Sequence, residues 1–487
     1  MNFEFNLSDL LLISPLIVVF LTSLIPITAK VLRGNKEMPA VATLTISLTG
    51  LMVSAFLLVV FSGSNQTAFS QTLVFDGVTQ WVGLTGLIAA AISIVMMHEN
   101  PATSGRQFSE LVFLALSSVL GMLVLVSALD LLTIFIGLEL MSLAIYLMIG
   151  MSHEEKFSKE AALKYFVLGS FASALYLYGV SFVFGTTGTT NIFMVAQQTG
   201  ELIQSNRLFL VGTTLIIVGF CFKVSIAPFH AWTPDVYQGA PTPHAAFMAT
   251  AIKAVSFAAF LRVIATKSLV FSDGLFELLQ WLAVITMLVG NVAAIIQNNF
   301  KRMLAYSSIS HSGYLIVGLI TSGISDVGAF GASGVLFYLL SYSFMTLGCF
   351  AVVAMLEKNE NSTINIDDLA GLAQRNPVLA ACLSVFLLSL AGMPPFIGFF
   401  GKFYIFNAAI GEGLLWLAVW GVINSVISVY YYLRPIVLMY MREGAAEVAE
   451  RRLVATTVTV IVSAVFVSIL GLFSGPIFSA VEKSLLN

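Results

Sequence analysis

Four ionisable residues stand inside long apolar stretches of the sequence. Glu139 lies in LLTIFIGLELMSLAIYL, Lys223 in GFCFKVSIAPFHAWTPD, Lys253 in ATAIKAVSFAAF and Lys402 in MPPFIGFFGKFYIF. A charged side chain at the centre of a membrane helix costs about 3 kcal/mol on insertion scales, so such residues usually serve a function. A carboxylate and several amines in a medium of low dielectric can pass protons between them, which predicts a pathway for protons or cations. The competing interpretation is structural: a buried acid and base could simply lock two helices together.

Three further protonatable residues are weaker candidates for the same pathway. Lys164 stands only a few residues inside its helix, so its amine either joins the pathway or extends to the aqueous boundary. His230 and His311 lie within or beside apolar segments, and imidazole exchanges protons near neutral pH. A hydrogen-bonded core histidine is the competing interpretation for each. Arg262 and Arg434 are predicted to anchor helix ends, because a guanidinium group does not release its proton in proteins.

The rest of the sequence excludes several other chemistries. The cysteines Cys221, Cys349 and Cys382 are far apart, and no zinc or iron–sulfur spacing can be built from them. His230 and His244 have a spacing that resembles bis-histidine haem binding, but prolines interrupt the interval and no second pair exists. The sequence has no Walker-A or G-x-G-x-x-G motif, and a net charge of −3 without a basic cluster excludes nucleic-acid binding. We therefore expect no metal or cofactor in this chain.

The composition is typical of a membrane protein with many spans. Hydrophobic residues make up 58% of the 487 residues and charged residues only 10%, whereas soluble domains contain about 25% charged residues. A spanning helix requires about 20 apolar residues, and about fourteen such segments predict an all-α polytopic fold. Their approximate ranges are 9–29, 39–61, 75–97, 109–127, 130–151, 161–184, 207–236, 242–265, 275–296, 303–321, 327–356, 377–410, 414–440 and 453–480.

The basic residues outside these spans predict the orientation of the chain, because cytoplasmic loops carry an excess of Lys and Arg. One side of the membrane receives only Arg207, Lys267 and Lys483. The other side receives Lys30, Arg33, Lys36, Arg106, Lys156, Lys159, Lys301, Arg302, Lys358, Arg375, Arg442, Arg451 and Arg452. Both termini are therefore expected on the non-cytoplasmic side. The first span is expected to be retained, since no basic region or small-residue cleavage site accompanies it.

Prolines interrupt the seventh predicted span at Pro228 and Pro234, and the twelfth at Pro394-Pro395. Proline removes a helix hydrogen bond, and irregular backbone at membrane depth is tolerated where it lines a cavity. If helices 4–8 and 9–13 are two repeats of five, each interrupted helix is the fourth of its set, and the odd number inverts the second copy, as in transporters. The predicted divisions are an N-terminal three-helix segment, two inverted five-helix repeats and a C-terminal helix, at 1–108, 109–265, 275–440 and 441–487.

Three stretches of sequence resemble a known family. They are FKVSIAPFHAWTPDVYQGAPTP at 222–243, NFKRMLAYSSISHSGYL at 299–315 and LSLAGMPPFIGFFGKFY at 388–404. Together they resemble the antiporter-like subunit N of respiratory complex I, the bacterial counterpart of mitochondrial subunit 2, and the similarity extends over essentially the whole chain. The intramembrane lysine followed by P-x-H-x-W-x-P-D is shared with subunits L and M and with Mrp antiporters, whereas TPDVYQGAP is specific to subunit N.

The resemblance implies a proton channel without redox centres, driven by electron transfer from NADH to quinone elsewhere in the complex. It places the family's buried glutamate at Glu139, its broken-helix lysine at Lys223, its central lysine at Lys253 and its distal lysine at Lys402. Lys164 matches a lysine of the sixth helix that is thought to modulate the glutamate–lysine pair. His244 stands where the motif would have an apolar residue.

The resemblance also implies partners and a location. NADH, FMN, iron–sulfur clusters and quinone are expected in partner subunits, and the neighbours are expected to be other antiporter-like subunits and small membrane subunits within the lipid bilayer. The location implied is a bacterial cytoplasmic membrane. Two other functions stay open on the sequence alone: a subunit of an Mrp-type cation/proton antiporter, and a scaffold that conducts nothing. Buried lysines favour protons over Na⁺, which prefers oxygen ligands.

Overall fold

The computed structural model describes residues 7–61, 65–100, 103, 107–151, 156–266, 273–324, 329–357, 363–444 and 453–486. The first third of the chain forms α1 (Leu7–Leu12), α2 (Ser14–Leu32), α3 (Ala40–Phe61), α4 (Gly77–Glu99), α5 (Phe108–Ser127), α6 (Leu131–Gly150) and α7 (Lys156–Thr187). A short antiparallel hairpin, β1 (Gln66–Ala68) and β2 (Leu73–Phe75), lies between α3 and α4.

The middle of the chain forms α8 (Ile192–Ser205), α9 (Arg207–Lys223), α10 (Trp232–Gly239), α11 (Thr242–Phe247), α12 (Lys253–Ala265), α13 (Asp273–Ile295) and α14 (Phe300–Ile324). A π-helical turn (Met248–Ile252) joins α11 to α12. The last third forms α15 (Ala329–Leu356), a 3₁₀ turn (Ile366–Leu369), α16 (Leu372–Arg375), α17 (Pro377–Ala391), α18 (Ile397–Gly411), α19 (Leu415–Met441), α20 (Val454–Leu472) and α21 (Ser474–Leu486).

The prediction of an all-α polytopic membrane protein is confirmed. Twelve helical stretches of the described residues are long and apolar enough to cross a membrane, with α11, the π-helical turn and α12 counting as one. The two remaining predicted spans, the seventh and the twelfth, each consist of two shorter helices: α9 with α10, and α17 with α18. The stretch from α11 to α12 is wholly buried, and α14 and α15 almost wholly, so these three form the centre of the bundle.

Three features of the structure differ from the sequence prediction: two additional elements and one helix end. The stretch 185–206, which lies between two predicted spans, contains the amphipathic helix α8, which meets α9 at a bend of 117°. The hairpin β1–β2 was not predicted, and β2 makes a bridge from Leu73 to Ala128. The last predicted span, 453–480, ends earlier, because α20 stops at Leu472 and α21 starts at Ser474.

The backbone groups that each break leaves open find partners inside the protein. In the first break, the Ala227 N–H donates to Thr286 Oγ1 at 3.0 Å, and Trp232 Nε1 donates to the Phe222 carbonyl at 3.0 Å. In the second break, the carbonyls of Leu390 and Ala391 at the end of α17 accept from Lys402 Nζ at 3.0 and 3.1 Å. Carbonyls at a helix end lack intrahelical partners, so each break provides polar backbone that a side chain can use.

The two ends of the bundle are held by different contacts. At the end where α4 starts, Arg262 forms a two-pronged ion pair with Asp76, at 2.6 and 2.9 Å. At the end where α4 stops, the Glu99 carboxylate accepts from the Thr456 N–H at 2.8 Å and caps α20. Helices α1 and α21 also lie on the Asp76 side: a Cβ on Gly77 would contact the Ser484 carbonyl, and the hairpin N–H of Phe69 donates to Asp9 at 3.2 Å.

These contacts agree with the predicted topology, because they join only helix ends that the fourteen-span assignment places on the same side of the membrane. Among the basic residues used to predict the orientation, Arg106, Lys267, Lys358, Arg451 and Arg452 lie outside the described residues. Arg262, predicted to anchor a helix end, does lie near the end of α12. There it forms an ion pair with Asp76, in which the arginine side chain is buried.

Candidate functional site

Glu139 lies in the middle of α6 and is only half-buried. Its Oε1 accepts a hydrogen bond from Ser173 Oγ on the neighbouring helix α7. Ser173 is also part of the wall of a small cleft, together with Ser142, Tyr176 and Lys223. The glutamate is therefore joined through Ser173 to a small cleft between α6, α7 and α9.

Lys223 is the last residue of α9, at the start of the break. Its Nζ donates to Ser142 Oγ at 2.6 Å and to the Tyr165 hydroxyl at 3.2 Å, and it lies 5.3 Å from the centre of the Tyr165 ring. Ser142 is one helical turn from Glu139, so the two charged groups face the same part of the cleft. No direct ion pair joins Glu139 and Lys223 among the described contacts; hydroxyl groups stand between them.

Lys164 does not join this cleft. Its Nζ binds Asp235 on α10 at 2.7 Å and Glu160 at 2.9 Å, and the side chain is 41% exposed. Arg302 on α14 binds the other oxygen of Asp235 at 2.8 Å. The structure therefore places Lys164 towards the aqueous boundary, where an acidic residue of the broken helix links it to the second half of the chain.

Lys253 is the first residue of α12, directly after the π-helical turn, and its side chain is buried. Its Nζ donates to the backbone carbonyl of Ser308 on α14 and, at 2.7 Å, to the Ser308 hydroxyl. The Tyr342 ring of α15 lies 4.9 Å from the amine. π-Helical turns occur frequently at functional sites, and this one turns a lysine into the centre of the bundle.

His311 lies one turn beyond Ser308 on the same helix and is buried. Its Nδ1 pairs with the Tyr338 hydroxyl at 2.5 Å and its Nε2 with the Tyr432 hydroxyl at 3.0 Å. The Tyr342 ring that covers Lys253 also contacts the imidazole, with centroids 5.0 Å apart. His311 is therefore joined to Lys253 through a shared tyrosine.

Lys402 lies on α18, after the second break, and is buried. Its Nζ donates to two backbone carbonyls at the end of α17 and to Ser425 Oγ at 2.9 Å. The Tyr314 ring lies 4.9 Å from this amine and 5.7 Å from the imidazole of His311. Lys253, His311 and Lys402 thus form one connected cluster of amines, imidazole and tyrosine rings.

His230 stands apart from both groups. It lies in the first break, is half-buried, and its Nδ1 has no hydrogen-bond partner within the described part of the chain. His244, by contrast, is fully buried in α11. Neither contacts Lys223 or Lys253 in the hydrogen bonds and ion pairs of the described residues.

Sequence reasoning missed the polar side chains that connect the charged ones. They are Ser142, Ser173, Ser308, Tyr314, Tyr338, Tyr342, Ser425 and Tyr432. One signal was available: in SSISHSGY, Ser308, His311 and Ser312 follow the i, i+3, i+4 spacing of one helix face. The tyrosines gave no signal, because tyrosine is common in membrane helices.

Comparison with known proteins places this arrangement in a class. Residues 128–428 match the family model described as the transmembrane region of NADH:quinone oxidoreductase and Mrp antiporters. A relative from Bdellovibrio bacteriovorus, NADH-quinone oxidoreductase subunit N, is 70% identical over 486 residues, 100% of each chain. The subunit N of Trichlorobacter lovleyi is 40% identical over 403 residues, 82% of each chain.

Solved structures share the fold. A chain of respiratory complex I from Thermus thermophilus with bound aureothin matches with a TM-score of 0.82 and 32% identity, covering 96% of this chain and 99% of that one. A chain of the Mrp complex from Dietzia matches with a TM-score of 0.82 at 19% identity, covering 99% and 97%, a likeness of fold alone. The molecule is thus an antiporter-like polytopic membrane subunit. The relatives that match most or all of its length identify the family: the chain belongs to the subunit N family of NADH-quinone oxidoreductases.

Proposed function

We propose that this chain moves protons through the membrane along Glu139, Lys223, Lys253, His311 and Lys402, as the antiporter-like subunit N of a proton-translocating NADH-quinone oxidoreductase. One observation carries the assignment of residues. Two buried amines on different helices, Lys253 and Lys402, are connected through a buried imidazole and the tyrosines around it. Such a chain of groups that can each gain and lose a proton is what proton transfer requires.

The transfer follows from electrostatics. Two ammonium groups about 10 Å apart at an effective dielectric of about 20 repel by about 1.7 kcal/mol, slightly more than one pKa unit. Protonation of one lysine therefore favours release from the next. Among the described residues, Lys253 and Lys402 have only neutral oxygens and tyrosine rings around their amines. No counter-ion fixes their charge, so a change of charge at Glu139 and Lys223 can shift the proton onward.

Electron transfer belongs to partner subunits in this proposal. We assign NADH, FMN, the iron–sulfur clusters and quinone to those partners, and to this chain the proton path alone. We place the subunit in a bacterial cytoplasmic membrane beside other antiporter-like and small membrane subunits, with both termini on the non-cytoplasmic side. His230 and Lys164 have auxiliary roles: Lys164, held by Asp235, can change the field at Glu139 when that ion pair breaks.

A cation/proton antiporter subunit of the Mrp type is the second candidate, because the Dietzia Mrp chain has the same fold. It is less well supported, since the relatives with 70% and 40% identity are both named subunit N. The two functions differ in their dependence on NADH, which makes them separable by experiment.

The test uses membranes that contain the assembled complex with Lys253→Ala or Lys402→Ala in this chain. We expect NADH-driven proton pumping to fall by about 10²-fold or more, the lower end of the range for losing a proton-transfer group. Lys36→Ala, an exposed loop lysine, is the matched control and should leave pumping unchanged. Altered Na⁺/H⁺ exchange with normal NADH oxidation would favour the Mrp-type function, and unchanged values in both assays would leave only a scaffold.

A further inference from the structure

A second buried charged cluster lies outside the residues used so far. Glu357, directly after α15, is only 7% exposed. Its Oε1 accepts from the hydroxyl of Thr242, the first residue of α11, and lies 3.6 Å from Lys301 Nζ on α14. Its Oε2 accepts from Asn100 Nδ2 at 3.0 Å. This cluster is at the Glu99 end of the bundle, which the basic residues predict to face the cytoplasm.

The helices that meet at Glu357 are the same ones that meet at Lys253. The Lys253 amine contacts Ser308 of α14 and the Tyr342 ring of α15, and it follows directly from α11 and the π-helical turn. Lys301 and Ser308 are seven residues apart, two turns along one face of α14, and Thr242 and Lys253 are eleven residues, about three turns, apart. We call the space between α11–α12, α14 and α15, from Glu357 to Lys253, the column. It therefore has a carboxylate at its outer end and an amine at its inner end.

Polar groups also lie between these ends. Thr346 on α15 is 4% exposed, and its Oγ1 lies beside the Tyr342 hydroxyl without forming a hydrogen bond of ordinary geometry to any described residue. It is one turn from Tyr342 and three turns from Glu357, on the same face of α15. The buried Tyr237 of α10 places its hydroxyl beside Ser308. A buried hydroxyl without a partner costs about 1–3 kcal/mol unless water binds it, so this part of the column is suited to hold water.

We propose that Glu357 is a proton-accepting group at the outer end of this column and that it supplies Lys253. The inference rests on the proposed function. The Glu357 carboxylate takes a proton from water at the bundle end and becomes a neutral carboxylic acid. That proton then leaves the acid along water and hydroxyl groups, including Thr346, to the uncharged amine of Lys253. Lys253 becomes an ammonium group, and the carboxylate of Glu357 is restored beside Lys301.

The neighbours of Glu357 support a group that changes its charge. Lys301 balances the carboxylate, and its Nζ also donates to the Ala240 carbonyl at 3.1 Å, so it keeps a partner when Glu357 is neutral. Thr242 and Asn100 donate to the two carboxylate oxygens from different helices. The site thus holds Glu357 in place by three contacts, one of them with a cation.

The test compares Glu357→Gln with Glu99→Gln in the assembled complex. The glutamine retains the shape of Glu357 and an oxygen that can accept at one of the two positions, but it cannot carry a proton, so we expect NADH-driven pumping to fall by about 10²-fold. Glu99→Gln is the matched control, a carboxylate at the same bundle end that only caps α20, and it should pump within about twofold of the unchanged complex. Wild-type pumping by Glu357→Gln overturns the proposal.

Two further measurements keep the result decisive. Thr346→Val should slow pumping and Thr346→Ser should restore it, a pattern that a purely structural role would not give. Ordered water should lie within hydrogen-bond distance of Thr346 Oγ1 in a high-resolution structure of the unsubstituted complex; a dry column overturns the proposal even if Glu357→Gln does not assemble. Normal pumping by Lys253→Ala would instead overturn the proposed function itself, so the two failures are distinguishable.

Discussion

The amines of Lys223, Lys253 and Lys402 have similar surroundings at the scale of single residues. Each donates to hydroxyl or backbone carbonyl oxygens, and each lies 4.9 to 5.3 Å from the centre of a tyrosine ring. A cation over an aromatic ring is stabilised by about 0.5–2 kcal/mol, more when water is excluded. These contacts stabilise the charged amine without a permanent counter-ion among the described residues, and an uncharged amine, which has two N–H groups, can still donate to two of these oxygens.

Gly392 offers a prediction at this scale. It has a φ of +85°, and an added Cβ would lie 3.0 Å from Cδ and 3.2 Å from Nζ of Lys402. In Gly392→Ala the side chain of Lys402 must move, and the left-handed backbone costs about 1–2 kcal/mol for a residue with a Cβ. We expect proton pumping to fall several-fold while the complex still assembles, measured with NADH-energised vesicles.

The control for that variant is Gly411→Ala, at the other end of α18, where an added Cβ meets nothing within 4 Å. It should pump normally. Equal pumping by Gly392→Ala and Gly411→Ala would mean that the position of the Lys402 amine does not matter for the path.

The sequence was sufficient to find the charged residues of the site, because an amine or carboxylate within an apolar run is unusual on energetic grounds alone. It could not show which of them meet. In the structure Glu139 bonds the hydroxyl of Ser173 and Lys223 bonds the hydroxyl of Ser142. A serine within a helix can bond the carbonyl one turn back in its own helix, so nothing in the sequence distinguished these from other serines.

At the scale of elements, the ion pair between Arg262 and Asp76 joins α12 to the start of α4. Asp76 also accepts from the Thr79 N–H at 2.9 Å, which caps α4. Burial opposes ionisation of Asp76, but the charge and hydrogen bonds of Arg262 and the bonds from Thr79 outweigh it and hold the pKa of the carboxyl below its usual value. This contact closes the bundle end opposite to Glu357.

The lowered pKa of Asp76 predicts how stability changes with pH. Because its pKa is lower in the folded than in the unfolded protein, the stabilisation is fully present above the unfolded pKa and is lost as pH falls through the folded pKa. We expect thermal unfolding of the detergent-solubilised complex to show a smaller loss of Tm on acidification in Asp76→Asn than in the unsubstituted protein. An identical acid dependence in both would contradict the assignment.

Elements with a strong apolar signal were predictable, and amphipathic ones were not. The interrupted spans were marked by Pro228 and Pro394-Pro395. Helix α8 was missed because only one of its faces is apolar, so its fourteen residues resemble a polar loop. The sequence does mark the end of α20, because Ser474-Gly475-Pro476 is typical of a turn or a new helix start. The prediction of one span over 453–480 followed the number of apolar residues instead.

At the scale of the whole molecule, the first and last described helices, α1 and α21, lie at the Asp76 end of the bundle, opposite to Glu99 and Glu357. The arrangement agrees with an even number of spans. The division into two inverted repeats stays a prediction; the position of an interrupted helix as the fourth of each set of five supports it.

The orientation can be tested by labelling. Cys221, Cys349 and Cys382 are buried, so the background of labelling is low. We expect Lys36→Cys to react with a membrane-impermeant maleimide only in inside-out vesicles, and the exposed Lys483→Cys only in right-side-out vesicles. The opposite pattern would reverse the proposed sidedness, and labelling of both in one preparation would contradict an even number of spans.

The cap on α20 has a consequence for synthesis of the chain. Glu99 and Thr456 are separated by 357 residues. At about 5–20 residues per second, the glutamate leaves the ribosome between about 20 and 70 s before its partner exists. During that interval its carboxylate must stay hydrated at the membrane surface, and a product truncated before Val454 would never satisfy it. The last of the long apolar helices, α20, thus supplies the partner for a residue at the end of α4, one of the first to be made.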